Sequence, residues 1–448
     1  MKRYRKVKFG LIFCLLFVLV FISSCAQEKD KTKEPLTLTV WHVYGEQTDS
    51  PLNDLIDEFN NTVGRQEGIR IQVAAVSNTS DIHDDVLRAA NNEPGADALP
   101  DIFVSYPKTV LAMPDSDILV DYKDYFSEDE LSQYIPEFID EGVTDDRLTV
   151  FPVAKSTEIM FVNKTLFDRF ANETGVTLDN LSTWKGLFET ANLYYEKTGK
   201  SFFVHDYWFN YFQVGVTSMG EDFFDGDKVV CKDAFNIAYE QMAKASVTGS
   251  VWLEDGFATA PLRTGDAIVS VASSASVLYY EDKVTYEDNN SEPVEVIALP
   301  VPCFEGAKKM VMQRGAGLCT VKSTPQKEQA AVTFIKWLTS PENNVKFVTS
   351  TGYMPVTNEA FDLLPEAIDK LDNPKYKSLY EAYIKTQKEY SFYTAPKFAT
   401  YLETEDSFEK GIRKLFRDAV TRYGQNEDCN FIIQQTYERL VNDVVKGE

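Results

Sequence analysis

Residues 36–76 read LTLTVWHVYGEQTDSPLNDLIDEFNNTVGRQEGIRIQVAAV, and this stretch sets the fold class. LTLTVWHV (36–43) is rich in β-branched and aromatic residues and runs into a turn containing Gly45. In residues 51–63, Leu52, Leu55, Ile56 and Phe59 recur at helical spacing. IRIQVAAV (69–76) returns to strand composition, residues 81–91 read as a second helix, and DIFVS (101–105) reads as a third, buried strand. Strand, helix, strand, helix, strand is the pattern of an α/β domain with a parallel sheet. Ligands of open α/β sheets sit beyond the carboxyl ends of the strands, which directs attention to residues 42–47 and 105–108.

Outward from there, residues 148–162 (LTVFPVAKSTEIMFV) are extended but interrupted by Pro152 and by Lys155-Ser156-Thr157, which suits a crossover between two lobes. Residues 164–200 read as helical, with Ser182 and Thr183 as caps before Trp184. Residues 203–211 (FVHDYWFNY) form an aromatic cluster, and another helix covers about 233–247. Residues 265–275 (GDAIVSVASSA) read as a strand that returns the chain to the first lobe. Strands at 294–300 and 315–321 flank a loop at Gly306, and from residue 326 onward the chain is mostly helical, with Pro325 at an N1-type position.

At 448 residues, with 44% hydrophobic and 13% aromatic residues, the chain can bury a large core and is not of disordered composition. Lys+Arg total 45 against 69 Asp+Glu, a net charge of −24, which argues against a nucleic-acid partner. The three histidines, His42, His83 and His205, have no metal-ligand spacing, and no metal or other cofactor is expected. Near the N-terminus, five cations in residues 2–8 precede an uncharged apolar run from Phe9 to Ile22, which is short for a membrane span and fits a secretory signal. The run ends Ile22-Ser23-Ser24-Cys25, which resembles the lipobox of bacterial lipoproteins. That resemblance implies cleavage of residues 1–24, a diacylglyceryl group on Cys25 and a flexible tether over 25–35; an uncleaved signal anchor is the alternative. Cleavage removes the five cations and takes the net charge from −24 to −29. Cys231, Cys303, Cys319 and Cys429 remain; Cys303 and Cys319 flank a hairpin and are the best-placed pair, and free buried thiols are the alternative.

Residues 330–360 read AAVTFIKWLTSPENNVKFVTSTGYMPVTNEA. A helix ending Lys336-Trp337-Leu338, then Ser340-Pro341-Glu342-Asn343, then Thr351-Gly352-Tyr353 resembles, in that order, the family 1 extracellular solute-binding proteins of ABC importers. That family includes the maltose- and glycerol-3-phosphate-binding proteins. Val40-Trp41-His42, Leu99-Pro100-Asp101-Ile102, residues 152–167 and Gly265-Asp266-Ala267 support the resemblance, which runs from about 36 to 420. It implies a two-lobe periplasmic-binding-protein fold (type II, Venus-flytrap): a first α/β lobe of 36–150 plus 276–323, a second of 151–275 plus 324–448, and a solute cleft between them.

The same resemblance implies a set of ligand-binding residues. Ser156 matches the family's crossover serine, Tyr353 the tyrosine of its Thr-Gly-Tyr turn, and Gly315 a glycine where backbone approaches solute. Ser273 and Ser274 end the return strand as contact or hinge. Tyr106 follows the third strand, where glycerol-phosphate relatives carry Glu. Tyr207, Trp208 and Tyr211 fall where relatives place stacking tryptophans, with a core role open for at least one of them. Tyr44 and Glu46, past the first strand, are pocket candidates, whereas Trp41 reads as core. Where glycerol-phosphate relatives place an Arg, this chain has Tyr401-Leu402-Glu403-Thr404-Glu405-Asp406, an acidic run that opposes phosphate. The implied function is a lipid-anchored receptor at the cell membrane, a monomer that delivers a carbohydrate to an ABC permease, with sn-glycerol 3-phosphate or a glycerophosphodiester as the alternative solute. An exported glycan hydrolase is the competing class; it needs a carboxylate pair about 5–9.5 Å apart. No such pair stands out, nor does a nucleophile elbow or metal motif.

Overall fold

The computed structural model describes residues 34–44, 50–78 and 81–446. The signal segment, Cys25, most of the tether and Glu46 lie outside the described residues.

The first sheet has strand order Ile69–Val76, Leu36–His42, Ile102–Ser105, Gly317–Thr320, Phe151–Pro152. The first three are parallel, with Leu36 opposite Ile69 and Val40 opposite Ile102; Gly317–Thr320 pairs antiparallel to both its neighbours, Ile102–Ser105 and Phe151–Pro152. Helices cover both faces, which is why the strands carry near-continuous apolar runs. On one face, helix Pro51–Asn61 starts at Ser50, whose side chain caps Asn53 N, and buries the Leu52, Leu55, Ile56 and Phe59 stripe. Phe59 meets Phe334 and Trp337 of helix Pro325–Leu338 edge to face, at centroid distances of 5.1 and 5.4 Å. The other face buries Trp41, Ile82, Val86, Phe103 and Cys319.

The second sheet has seven strands, in the order Val251–Trp252, Phe203–His205, Val269–Ser273, Ser156–Asn163, Met310–Arg314, Ser391–Tyr393, with Val296–Leu299 also paired to Ser156–Asn163. Its central strand, Ser156–Asn163, is buried at all eight positions. An aromatic-rich core that includes Trp184, Phe203, Trp208, Tyr211, Phe212 and Phe408 packs on it.

The chain passes between the sheets three times, and two of the passages lie side by side. Residues 153–155 join Phe151–Pro152 to Ser156–Asn163, as the interrupted composition predicts, and Gly315 joins Met310–Arg314 to Gly317–Thr320. Gly315 has φ 102°, and a Cβ there would sit 2.8 Å from Ser156 N, so both the backbone conformation and the close approach require glycine.

The expected lobe boundaries need correction. Val269–Ser273 pairs within the second sheet, as the 151–275 segment has it, but the chain does not then return to the first lobe: Val296–Leu299 and Met310–Arg314, expected there, also pair within the second sheet. Helices Pro325–Leu338, Pro341–Thr351 and Asn358–Asp369 join the core of the first sheet, not the second lobe. Helix Pro374–Glu389 bridges the two: Tyr380 and Tyr383 donate to Val348 O and Gly352 O while the helix packs on Val296–Leu299. The expected Cys303–Cys319 pair does not form: Cys319 is buried in the first sheet, whereas Cys303 lies in the second lobe with its N–H on Ser182 O.

Candidate functional site

A cleft of about 720 Å³ opens between the two sheets, within the range of small-molecule sites. Its floor is the crossover, formed by Ser156, Gln313, Arg314 and Gly315. Behind the floor, Lys155 pairs with Glu141 and donates to Gly315 O at 2.8 Å, while Gln313 Nε2 donates to Glu141 at 2.7 Å.

The first-lobe wall carries Tyr44, past the end of Leu36–His42, and Tyr106, past the end of Ile102–Ser105, as the carboxyl-end rule anticipates. Tyr44 meets Tyr353 edge to face at 5.3 Å and Phe347 at 5.1 Å. Tyr106 lies 5.0 Å from the His83 ring, and burial beside Lys108 pushes His83 down to about 4. The second-lobe wall carries Asp206, Tyr207, Asn210, Ser273, Tyr401 and Glu405. Arg314 lies over Tyr207 with its guanidinium carbon 4.3 Å from the ring centroid. At the mouth stand Phe257, Leu278 and Tyr279, at 59%, 42% and 60% exposure, which makes them unusual for large apolar side chains.

Of the residues expected from the sequence, Tyr44, Tyr106, Ser156, Tyr207, Ser273, Gly315 and Tyr353 line the cleft. Trp208 and Tyr211 do not, and the stacking role expected of them needs correction. Trp208 is fully buried, 5.3 Å from His205, and the Tyr211 hydroxyl donates to Ala238 O at 2.8 Å. Helix Trp208–Ser218 has no charged residue and buries nine of its eleven positions, so it belongs to the core. Ser274 is buried and accepts from Thr157 N at 3.3 Å, a structural contact at the crossover.

One helix organises the second-lobe wall. On Tyr401–Gly424, the i, i+4 row of Tyr401, Glu405, Glu409, Arg413 and Arg417 faces the cleft and the loops beside it. Glu405 reaches across the cleft to Lys108 of the first lobe at 2.8 Å. Glu409 accepts from Phe209 N at 2.6 Å. Arg413 donates to His205 O, Asp206 O and Glu254 O at 2.9, 2.8 and 3.3 Å. Arg417 donates to Leu253 O at 3.0 Å, and Asp206 accepts from Ala258 N at 2.6 Å. The loops presenting Asp206–Tyr207 and Phe257 are thereby fixed. Of the acidic run at 403–406, only Glu405 lines the cleft.

Burial pushes Glu158 up to about 7, partly offset by Arg314 and by a 2.8 Å hydrogen bond from Asn210; it pushes Glu409 up to about 8 despite Arg413. Three polar atoms of lining residues, Tyr44 Oη, Gln313 Oε1 and Arg314 Nη1, are buried with no hydrogen-bond partner. Orphans of this kind are rare in folded proteins, and a polar solute can satisfy them. Sequence reasoning missed Phe257 and Tyr279 as mouth residues and Glu409 and Arg413 as supports. The i, i+4 row from 401 to 417 was the available signal for the last two.

A family model described as bacterial extracellular solute-binding protein matches residues 54–377. An arabinooligosaccharide-binding protein from Halalkalibacterium halodurans is 23% identical over 297 residues, 63% of this chain and 63% of that protein, so the match spans less than two thirds of the relative. The crystal structure of the cyclic alpha-maltosyl-1,6-maltose binding protein from Arthrobacter globiformis superposes with a TM-score of 0.67 at 19% identity, covering 92% of this chain and 100% of that one. UgpB from Mycobacterium tuberculosis, in complex with glycerophosphocholine, gives 0.67 at 19% identity, covering 91% and 97%. At these identities the structures share the fold, and the two-lobe architecture expected from the sequence is the one found. The match over residues 54–377 goes further than the fold: the chain belongs to the bacterial extracellular solute-binding protein family.

Proposed function

We propose that the protein captures a carbohydrate, a mono- or oligosaccharide, by closure of its two lobes and delivers it to the membrane permease of an ABC importer. The observation that carries the reading is the cleft itself: aromatic faces on both walls and at the mouth, with unpartnered Tyr44 Oη, Gln313 Oε1 and Arg314 Nη1 among its lining residues. Apolar faces suit the C–H face of a sugar ring, and orphaned polar atoms suit its hydroxyl rim. The arabinooligosaccharide- and maltosyl-maltose-binding relatives support the class. Tyr207, Phe257 and Tyr279 stack on the sugar; Tyr44, Ser156, Gly315 and Tyr353 meet its rim. Closure is a population shift in which the solute binds the closed form more tightly.

The protein acts as a monomer held at the extracytoplasmic face of the cell membrane by lipid on Cys25. Among the described residues no helix is long and apolar enough to cross a membrane. A second reading, a glycerophosphodiester solute, is favoured by the UgpB likeness.

Isothermal titration with arabinotriose, maltotriose and glycerophosphocholine tests the reading. Saturable binding of a neutral oligosaccharide, weakened in Tyr207→Ala and Phe257→Ala, is expected. Tight binding of glycerophosphocholine with no response to any glycan would sink it.

A further inference from the structure

Arg314 ends strand Met310–Arg314 on the cleft floor, with its guanidinium over the Tyr207 ring. Lys108 is engaged by Glu405, and Lys397 donates to Asp140 O and Val143 O at 2.7 and 2.6 Å. Arg314 Nη1, in contrast, has no hydrogen-bond partner. A guanidinium on a cleft floor invites a phosphate reading, because its planar fork matches that anion well; its Nη1 is buried beside Glu158.

The surrounding charges argue the other way. Glu158 Oε1 lies 3.9 Å from Arg314 Nη1, and Asp206 and Glu405 are also close enough to interact with it. These three carboxylates come from three separate elements, the crossover strand, the loop after Phe203–His205 and helix Tyr401–Gly424, and they converge on one guanidinium. Lys108 is countered by Glu405, and Arg314 by Glu158 and Asp206, so neither cation is left uncompensated for an anion, although burial holds part of the Glu158 population protonated. A phosphate placed there brings further negative charge into a partly desolvated site, where Coulomb interactions are several times stronger than in water. A hydroxyl pair accepts from Nη1 and brings none.

We propose that Arg314, held on Tyr207 and countered by Glu158, Asp206 and Glu405, is a specificity-determining residue that makes the cleft accept an uncharged polyhydroxylated ring and reject phosphorylated or carboxylated solutes. This deepens the carbohydrate reading and rests on it for the identity of the solute, but the charge selection is testable without that identity.

The test is isothermal titration at fixed ionic strength with inorganic phosphate, sn-glycerol 3-phosphate and the two neutral trisaccharides. The proteins are the full chain and its Glu158→Gln/Glu405→Gln and Arg314→Met variants. The wild type is expected to give no saturable heat with either phosphate probe. The double variant, with two carboxylates removed and Lys108 released, should bind phosphate at least about tenfold more tightly than the wild type. Arg314→Met should weaken trisaccharide binding by about tenfold, and Arg314→Lys should restore only part of it. Saturable phosphate binding by the wild type, or no gain in the double variant, overturns the proposal. If the wild type excludes phosphate, the double variant gains it and neither trisaccharide binds, the charge selection stands and the carbohydrate reading fails.

Discussion

Arg413→Ala should damage the second lobe and the cleft together. Arg413 is buried, donates to His205 O, Asp206 O and Glu254 O, and lies 3.4 Å from Glu409. Each charged hydrogen bond lost is worth about 1.5 kcal/mol or more; three carbonyls lose a donor and the Glu409 carboxylate loses its ion-pair partner. Glu409 can escape part of the cost by taking a proton, since burial already pushes it up to about 8. The expected loss is therefore about 3–5 kcal/mol, the range for removing one partner of a buried pair. Urea unfolding followed by circular dichroism measures it. Ligand affinity should fall as well, by roughly tenfold, because the Asp206–Tyr207 loop must be ordered at the moment of binding. Arg413→Lys keeps the charge but cannot reach three carbonyls, and should fall between. A variant within about 1 kcal/mol of wild type, with unchanged affinity, would refute the role given to the 401–417 row.

Further outcomes follow from the same geometry. Trp208→Ala should destabilise the ligand-free protein by about 3–5 kcal/mol, because a fully buried indole leaves a cavity; thermal melts check it, and an unchanged melt with lost affinity would return Trp208 to the cleft. Between pH 6.5 and 8, stability should fall as pH rises. Glu158 and Glu409 have folded values of about 7 and 8 against an ordinary 4.5, so the folded protein holds protons that the unfolded chain has lost. The change is on the order of 1–2 kcal/mol. Burial lowers His42, His83 and His205 from 6.5 and works in the opposite sense, offsetting the fall at the lower edge of the window, so the carboxyl effect shows most clearly towards pH 8; Glu409→Gln should flatten the slope there, and an unaltered slope counts against it. Cys25→Ser should release the protein from the membrane fraction and abolish labelling by a fatty acid, and retention of both would remove the lipid anchor.

The first sheet was legible because each element carried its own period: the 52, 55, 56, 59 stripe and the β-rich runs at 36, 69 and 102 admit few alternatives. The assignment of later strands to lobes was not. Val296–Leu299 and Met310–Arg314 have much the same composition as Gly317–Thr320, and which sheet each joins is decided by long-range pairing. The cleft was half legible. Tyr44, Tyr106 and Gly315 stand at strand ends, where topology alone points to ligand. In the 203–211 cluster, Tyr207 caps the helix and faces the cleft, whereas Trp208 one residue later turns into the core. Aromatic composition is the same on both sides of that boundary. Phe257 and Tyr279 carried no pattern at all, since exposure is a property of the folded surface.

The most direct measurement is the position of a bound glycan in a crystal structure of the complex. A ring lying between the two walls, against Tyr207 and the Phe257–Tyr279 mouth, with hydroxyls within about 3.2 Å of Arg314 Nη1 and Tyr44 Oη, is the predicted result. A solute lodged elsewhere, or a phosphate seated on Arg314, would contradict the account.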